Sequence, residues 1–278
     1  MAVANETEGR SEGELARSVE DKKSKSTSHF NSRTTAFVGL MGALGLVLSY
    51  LSNYLQISVG PGQTVSLDLS HVGTFVVAVA AGPLLGMVTG AIVGLLPAFN
   101  YANPALVPGK MLTGFAVGYL FNRLNAGDLK DGSKLTRVCL VLAAGTLGYL
   151  PEFAFTVWDT KLVLGFIPDF ILVGIYVKAP VEIVAISVLT GTLLSNGAVQ
   201  DGLQPFLAHY RDLERKRGVV VGEGVGLAIV AAVTVAFYAA IVAAASAFPD
   251  YLWLATWAWT VLLVAIFAAA TLVVKVKT

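Results

Sequence analysis

The chain has 278 residues, of which 55% are hydrophobic and 13% charged, with a mean hydropathy of +0.72. A soluble domain needs far more polar surface to cover its core, so this balance excludes an ordinary water-soluble globule and points to a lipid-exposed surface. The formal net charge of +1 offers no argument for a polyanion, and no nucleic-acid partner is expected. The single cysteine, Cys139, lies in an apolar run, which excludes a disulfide framework or a cysteine metal cluster within one chain.

Residues 1–33 are rich in Glu, Ser, Lys and Arg and lack an apolar segment, so they read as a disordered polar tail rather than a secretory leader. A bilayer core about 30 Å thick needs roughly 20 apolar residues per helix. Candidate spans are Thr34–Leu55, Asp68–Ala81, Pro83–Phe99, Pro108–Leu124, Thr136–Trp158, Phe170–Asn196, Val221–Phe248 and Tyr251–Val274. The second and third are short and parted only by Gly82-Pro83, so each is expected to be a short or tilted helix packed on neighbours.

Charge sets the expected direction. Arg33, the group Arg123, Lys130, Lys134 and Arg137, the group Arg211, Arg215, Lys216 and Arg217, and Lys275 with Lys277 all fall on one side if there are eight spans. The opposite loops, Gln56–Leu67, Asn100–Val107, Asp159–Asp169 and Pro249–Asp250, carry only Lys161 among their bases. By the positive-inside rule both termini are then cytoplasmic, and Tyr251, Trp158 and Trp253 fall near the outer interface. The expected fold class is all-α integral membrane, in the cell membrane with multiple passes.

Small residues mark close helix approaches. Gly82, Gly86, Gly90 and Gly94 step along one stripe of the third span, and Gly114 and Gly118 repeat the device in the fourth. In the first span Thr35, Gly39 and Ala43 hold the same spacing.

Charges inside apolar spans cost roughly 2.5–3.5 kcal/mol each on insertion scales, so they need partners or a wet cavity. Glu152 lies about 9 Å below Trp158, and Lys178 lies about 12 Å below Phe170, at about 1.5 Å per residue. The matched depths predict a Glu152–Lys178 pair between the fifth and sixth spans. Glu182 shares a helix face with Lys178, with Pro180 between them loosening the helix. The group reads equally as a structural ion pair or as ligand-binding. Asn53, Gln56, Gln63, Asp68, His71, Asn100, Tyr101, Asn103, Lys110, Asp159 and Asp169 add polar groups toward the outer ends. His71, a lone imidazole, reads as a hydrogen-bonded cap or packing group. A chamber open to the outside would orient a polar small molecule with such groups, against aromatic walls such as Phe99, Tyr149, Phe153 and Phe166.

The sequence contains no G-x-x-x-x-G-K-[ST] phosphate loop, no H-E-x-x-H and no G-x-S-x-G. No enzyme, catalytic residue, resident metal or cofactor is expected. No inverted repeat is visible, which weighs against a self-sufficient carrier of that kind.

Three stretches carry a likeness: "TAFVGLMGALGLV" in the first span, "VSLDLSHVGTFVVAVAAGPLLGMVTGAIVGLL" from Val65, and "PGKMLTGFAVGYLFNRL" from Pro108. Together Thr35–Leu124 resembles the substrate-binding S component of energy-coupling factor (ECF) transporters, and spans five and six continue the likeness more loosely to about Asn196. The motifs are diffuse small-and-apolar patterns. The resemblance implies a six-span substrate-binding domain over 34–198, a basic cytoplasmic loop over 199–220 and an additional two-span hairpin over 221–278.

It further implies capture of a vitamin or related micronutrient in an outward-facing site roofed by the loop after span one. Asn53, Gln63, Asp68, Asn100, Lys110, Glu152, Asp159, Lys178 and Glu182 mark that region here. Docking onto a transmembrane coupling subunit would use Thr35, Gly39 and Ala43, and two ATPase subunits in other chains would supply the energy. The family usually ends after six spans and carries a shorter polar tail, so the last hairpin and the tail are departures. The runner-up reading is a stand-alone ion- or proton-coupled carrier or channel built on Glu152, Lys178 and Glu182.

Overall fold

The computed structural model describes residues 32–52, 54–60, 63–124, 133–165, 168–203 and 220–277. The polar tail expected over 1–33 and the basic loop over 199–220 lie almost wholly outside them. Eight long helices follow one another: α1 (Ser32–Ser52), α2 (His71–Ala81), α3 (Pro83–Asn100), α4 (Leu106–Leu124), α5 (Lys134–Trp158), α6 (Asp169–Leu194), α7 (Val220–Ala243) and α8 (Asp250–Lys277). Between α1 and α2 the outer loop forms a two-stranded antiparallel hairpin, β1 (Gln56–Gly60) and β2 (Gln63–Ser66), with an irregular register at Ser58 and Gly60.

By length and composition, five helical segments among the described residues are apolar enough to cross a membrane: Ser32–Ser52, Pro83–Asn100, Lys134–Val163, Leu172–Leu194 and Asp250–Val273. Two expected spans depart from that standard. The second begins at His71 rather than Asp68 and is only an 11-residue helix. It does not need to match a bilayer, because every one of its residues is buried and it is enclosed by α1, α3, α4 and α6. The fourth, Leu106–Leu124, has the length, but Lys110, Asn122 and Arg123 lower its hydropathy.

α5 is the axis of the bundle. It packs against α4, α6, α7 and α8, and 83% of its most apolar window is buried, against 33% for α1 and 17% for α8. Ser133 caps its N-terminus by accepting the Thr136 N–H at 3.2 Å, and α5 runs on through a single π turn, Asp159–Val163. The C-terminal helices flank this axis. α8 lies against α5 and α6, while α7 brings Phe237 edge-on to Phe155 at 5.1 Å and beside Trp158 at 5.4 Å. Tyr238 on α7 and Thr260 on α8 share a hydrogen bond of 2.7 Å.

The glycine stripe of α3 serves the α3–α4 crossing. A Cβ at Gly86 would strike the Gly114 carbonyl, one at Gly90 the Lys110 carbonyl, and one at Gly94 the Val107 backbone. Only hydrogen at these positions lets the two backbones meet. Gly82 has a different task. Its φ of 89° turns the chain from α2 into α3, where Pro83 opens the new helix with no N–H to satisfy.

Candidate functional site

Lys110 is the centre of a buried polar hub. The close α3–α4 crossing brings it, one turn into α4, beside the start of α2. Its ammonium donates to Asp68 Oδ2 at 3.0 Å and Ser70 Oγ at 2.8 Å, and lies 3.1 Å from His71 Nε2. Three donors thus face three acceptors, and the side chain is 4% exposed. Asp68 Oδ1 accepts the Ser70 N–H at 3.0 Å, which shapes the entry to α2. Asp68 lies in the loop ahead of that helix. Burial would raise its carboxyl, but the Lys110 ammonium beside it prevails and holds it well below the usual carboxylate range.

Glu152 enters the hub from α5, next to Pro151. Its Oε2 accepts the Thr113 hydroxyl, and its Oε1 lies 3.5 Å from His71 Nε2. Thr113 follows Lys110 by three residues and so shares its helix face. The expected Glu152–Lys178 pair does not form. Lys178 instead sits 3.5 Å from Glu182 on its own helix and donates to the Ser66 carbonyl at the end of β2. Matched depth is a weaker constraint than direction around the helix, and α2, with its loop, supplies the nearer partners.

Glu182 Oε1 accepts the Asp68 N–H at 2.6 Å. Two α6 side chains therefore hold the segment between β2 and α2 from one side. From the other side, Ser52 at the end of α1 accepts the Leu69 N–H at 2.9 Å while donating to the Leu48 carbonyl. The hairpin is thus tied to the hub at its base.

Aromatic rings line the inner side of His71. Phe75 and Tyr149 meet it edge-on at 6.0 and 6.2 Å, and the series continues through Phe153 to Tyr176. His71 Nδ1 is buried and has no hydrogen-bond partner.

The other expected site residues fall elsewhere. Asp159 belongs to a second polar group, where it accepts the Asn103 amide at 2.7 Å; Lys161 and Asp169 pair at 2.6 Å. Asn100 is exposed at the end of α3, and Phe99, expected in an aromatic wall, is 87% exposed. Gln63 lies on β2, its side chain outside the described atoms, and Asn53 and Phe166 lie outside the described residues. Thr35, Gly39 and Ala43 are exposed on α1, and a Cβ at Gly39 would meet nothing within 4 Å.

His71, Ser70 and Thr113 belong to the hub although the sequence did not single them out for it. The legible signal was the compact polar run Asp68-Leu69-Ser70-His71 ahead of an unbroken apolar helix, with Thr113 one turn beyond Lys110. Among the described residues no group of three His, Cys, Asp or Glu side chains is placed to hold a metal ion. The cluster is suited to binding and orienting a polar molecule in a dry surround. No family model matches the chain, and no curated protein and no solved structure matches it.

Proposed function

We propose that the chain is the substrate-capturing membrane subunit of an ATP-driven, ECF-type importer for a vitamin or related micronutrient. The observation that carries this reading is the hub of Asp68, His71, Lys110 and Glu152, buried at the helix ends beneath a tied hairpin in an otherwise apolar chain. Buried charges are costly, and a site that orients a polar ligand is a use that keeps them. In this reading there are eight passes with both termini in the cytoplasm, as the charge distribution of the loops favours. A coupling subunit and two ATPase subunits are separate chains.

The exposed stripe Thr35, Gly39 and Ala43 supports a docking role for α1. Gly39→Leu is expected to leave the melting temperature of the isolated protein unchanged, since no atom stands within 4 Å of the new Cβ. The same change is expected to abolish co-purification with a co-expressed coupling subunit. Retained co-purification removes Gly39 from the interface.

The reading as a whole is tested by thermal-shift measurements on the purified protein against a panel of vitamins. Stabilisation by one of them supports capture, and a wholly negative panel overturns it. The second reading, a stand-alone proton- or ion-coupled carrier, draws on the approach of His71 Nε2 to Glu152 Oε1 at 3.5 Å. Uptake into liposomes containing this chain alone, abolished by Glu152→Gln, would favour the carrier.

A further inference from the structure

The hub leaves one donor unspent. Lys110 places an ammonium hydrogen toward His71 Nε2 at 3.1 Å, so that nitrogen must present its lone pair. A hydrogen on Nε2 would instead point at the ammonium. The proton of a neutral His71 ring therefore resides on Nδ1, and a doubly protonated ring would carry one there as well. Nδ1–H is a donor in every arrangement compatible with Lys110, yet it has no partner and the residue is 5% exposed. An unsatisfied buried donor costs about 1–3 kcal/mol, and a bound acceptor would recover it.

Charge supplies the second constraint. The joined side chains comprise three carboxylates, Asp68, Glu152 and Glu182, and two ammonium groups, Lys110 and Lys178. With His71 neutral, the cluster carries one surplus negative charge in a setting where unpaired charge is costly. The faces of Tyr149 and Phe75 beside the imidazole add surfaces that attract cations.

We infer that the hub binds a small organic monocation that also carries a hydrogen-bond acceptor, which receives the His71 Nδ1–H while the positive charge answers the surplus carboxylate. This rests on the capture reading and adds the charge class of the ligand and the atom that orients it. The ligand's acceptor would be a ring nitrogen or carbonyl oxygen beside the aromatic rings. An anionic ligand would add to the surplus negative charge and is disfavoured.

The test uses the full-length protein in detergent and three probes: thiamine, a monocation with pyrimidine ring acceptors; riboflavin, which is neutral; and biotin, an anion. Thiamine is expected to raise the melting temperature, and the other two are not. His71→Gln offers Lys110 an acceptor near the Nε2 position but places no donor at Nδ1. It is expected to weaken thiamine binding about tenfold, the loss of one hydrogen bond. His71→Asn restores an N–H near the Nδ1 position and is expected to retain most of the affinity. Melting without probe reports the fold of each variant.

If neither variant folds, imidazole-15N spectra of the native protein decide. Nδ1 is expected to be protonated without probe and to shift on adding thiamine. Stabilisation by riboflavin or biotin but not thiamine, undiminished thiamine binding by His71→Gln, or a bare Nδ1 overturns the inference and leaves the capture reading standing. Stabilisation by none of the three, together with a negative vitamin panel, overturns both.

Discussion

Lys110→Met is expected to lower the unfolding free energy by about 3–5 kcal/mol, the cost of removing one partner from a buried ionic group. The ammonium satisfies Asp68, Ser70 and His71 together, so its loss strands a carboxylate and an imidazole in a dry surround. The length of the Met side chain leaves packing nearly intact, which isolates the polar loss. Denaturant unfolding in mixed micelles measures the change. The double variant Asp68→Leu with Lys110→Met is expected to recover part of the loss, because the stranded charge goes with its partner. Equal stability of Lys110→Met and the native protein would refute the assignment of Lys110 as the centre of the hub.

Gly90→Leu is expected to cost about 3 kcal/mol or more and to remove ligand binding in the same step. A Cβ at this position runs into the carbonyl oxygen and carbon of Lys110 and the Met111 nitrogen. These are backbone atoms that no side-chain rotation can move aside, so α4 must shift away from α3. The shift carries the Lys110 ammonium away from Asp68 and His71. Gly39→Leu is the matched control, since its Cβ meets open space. Unfolding in mixed micelles and thermal shift with thiamine read the two losses separately. Native behaviour of Gly90→Leu would show that the α3–α4 approach does not position the site.

The contrast between Gly39 and Gly90 shows where sequence reading ends. Both lie in runs of small residues stepped by four, and the pattern says only that a backbone can come close. In α3 the stripe is filled by α4, and in α1 the Gly39 face remains open. The site divides in a similar way. Lys110, Glu152, Lys178 and Glu182 stand out because a charge in an apolar run is costly wherever it occurs. Their partners do not, since a depth counted along two helices says nothing of the direction in which each side chain leaves its helix. His71 looked like an ordinary cap until the α3–α4 crossing brought Lys110 to one of its nitrogens.

By itself, then, the sequence determined that this chain is built of long apolar helices and which of its charges lie within them. Hydropathy, span length and the cost of a charge in an apolar run are properties of a segment alone. Only the tertiary structure decided that α2 is a short enclosed helix, that the outer loop is a β-hairpin tied to α6, and that Glu152 faces His71 and Thr113 rather than Lys178. Those outcomes depend on how closely two backbones approach and on the angle between their side chains, which packing sets and no single segment encodes.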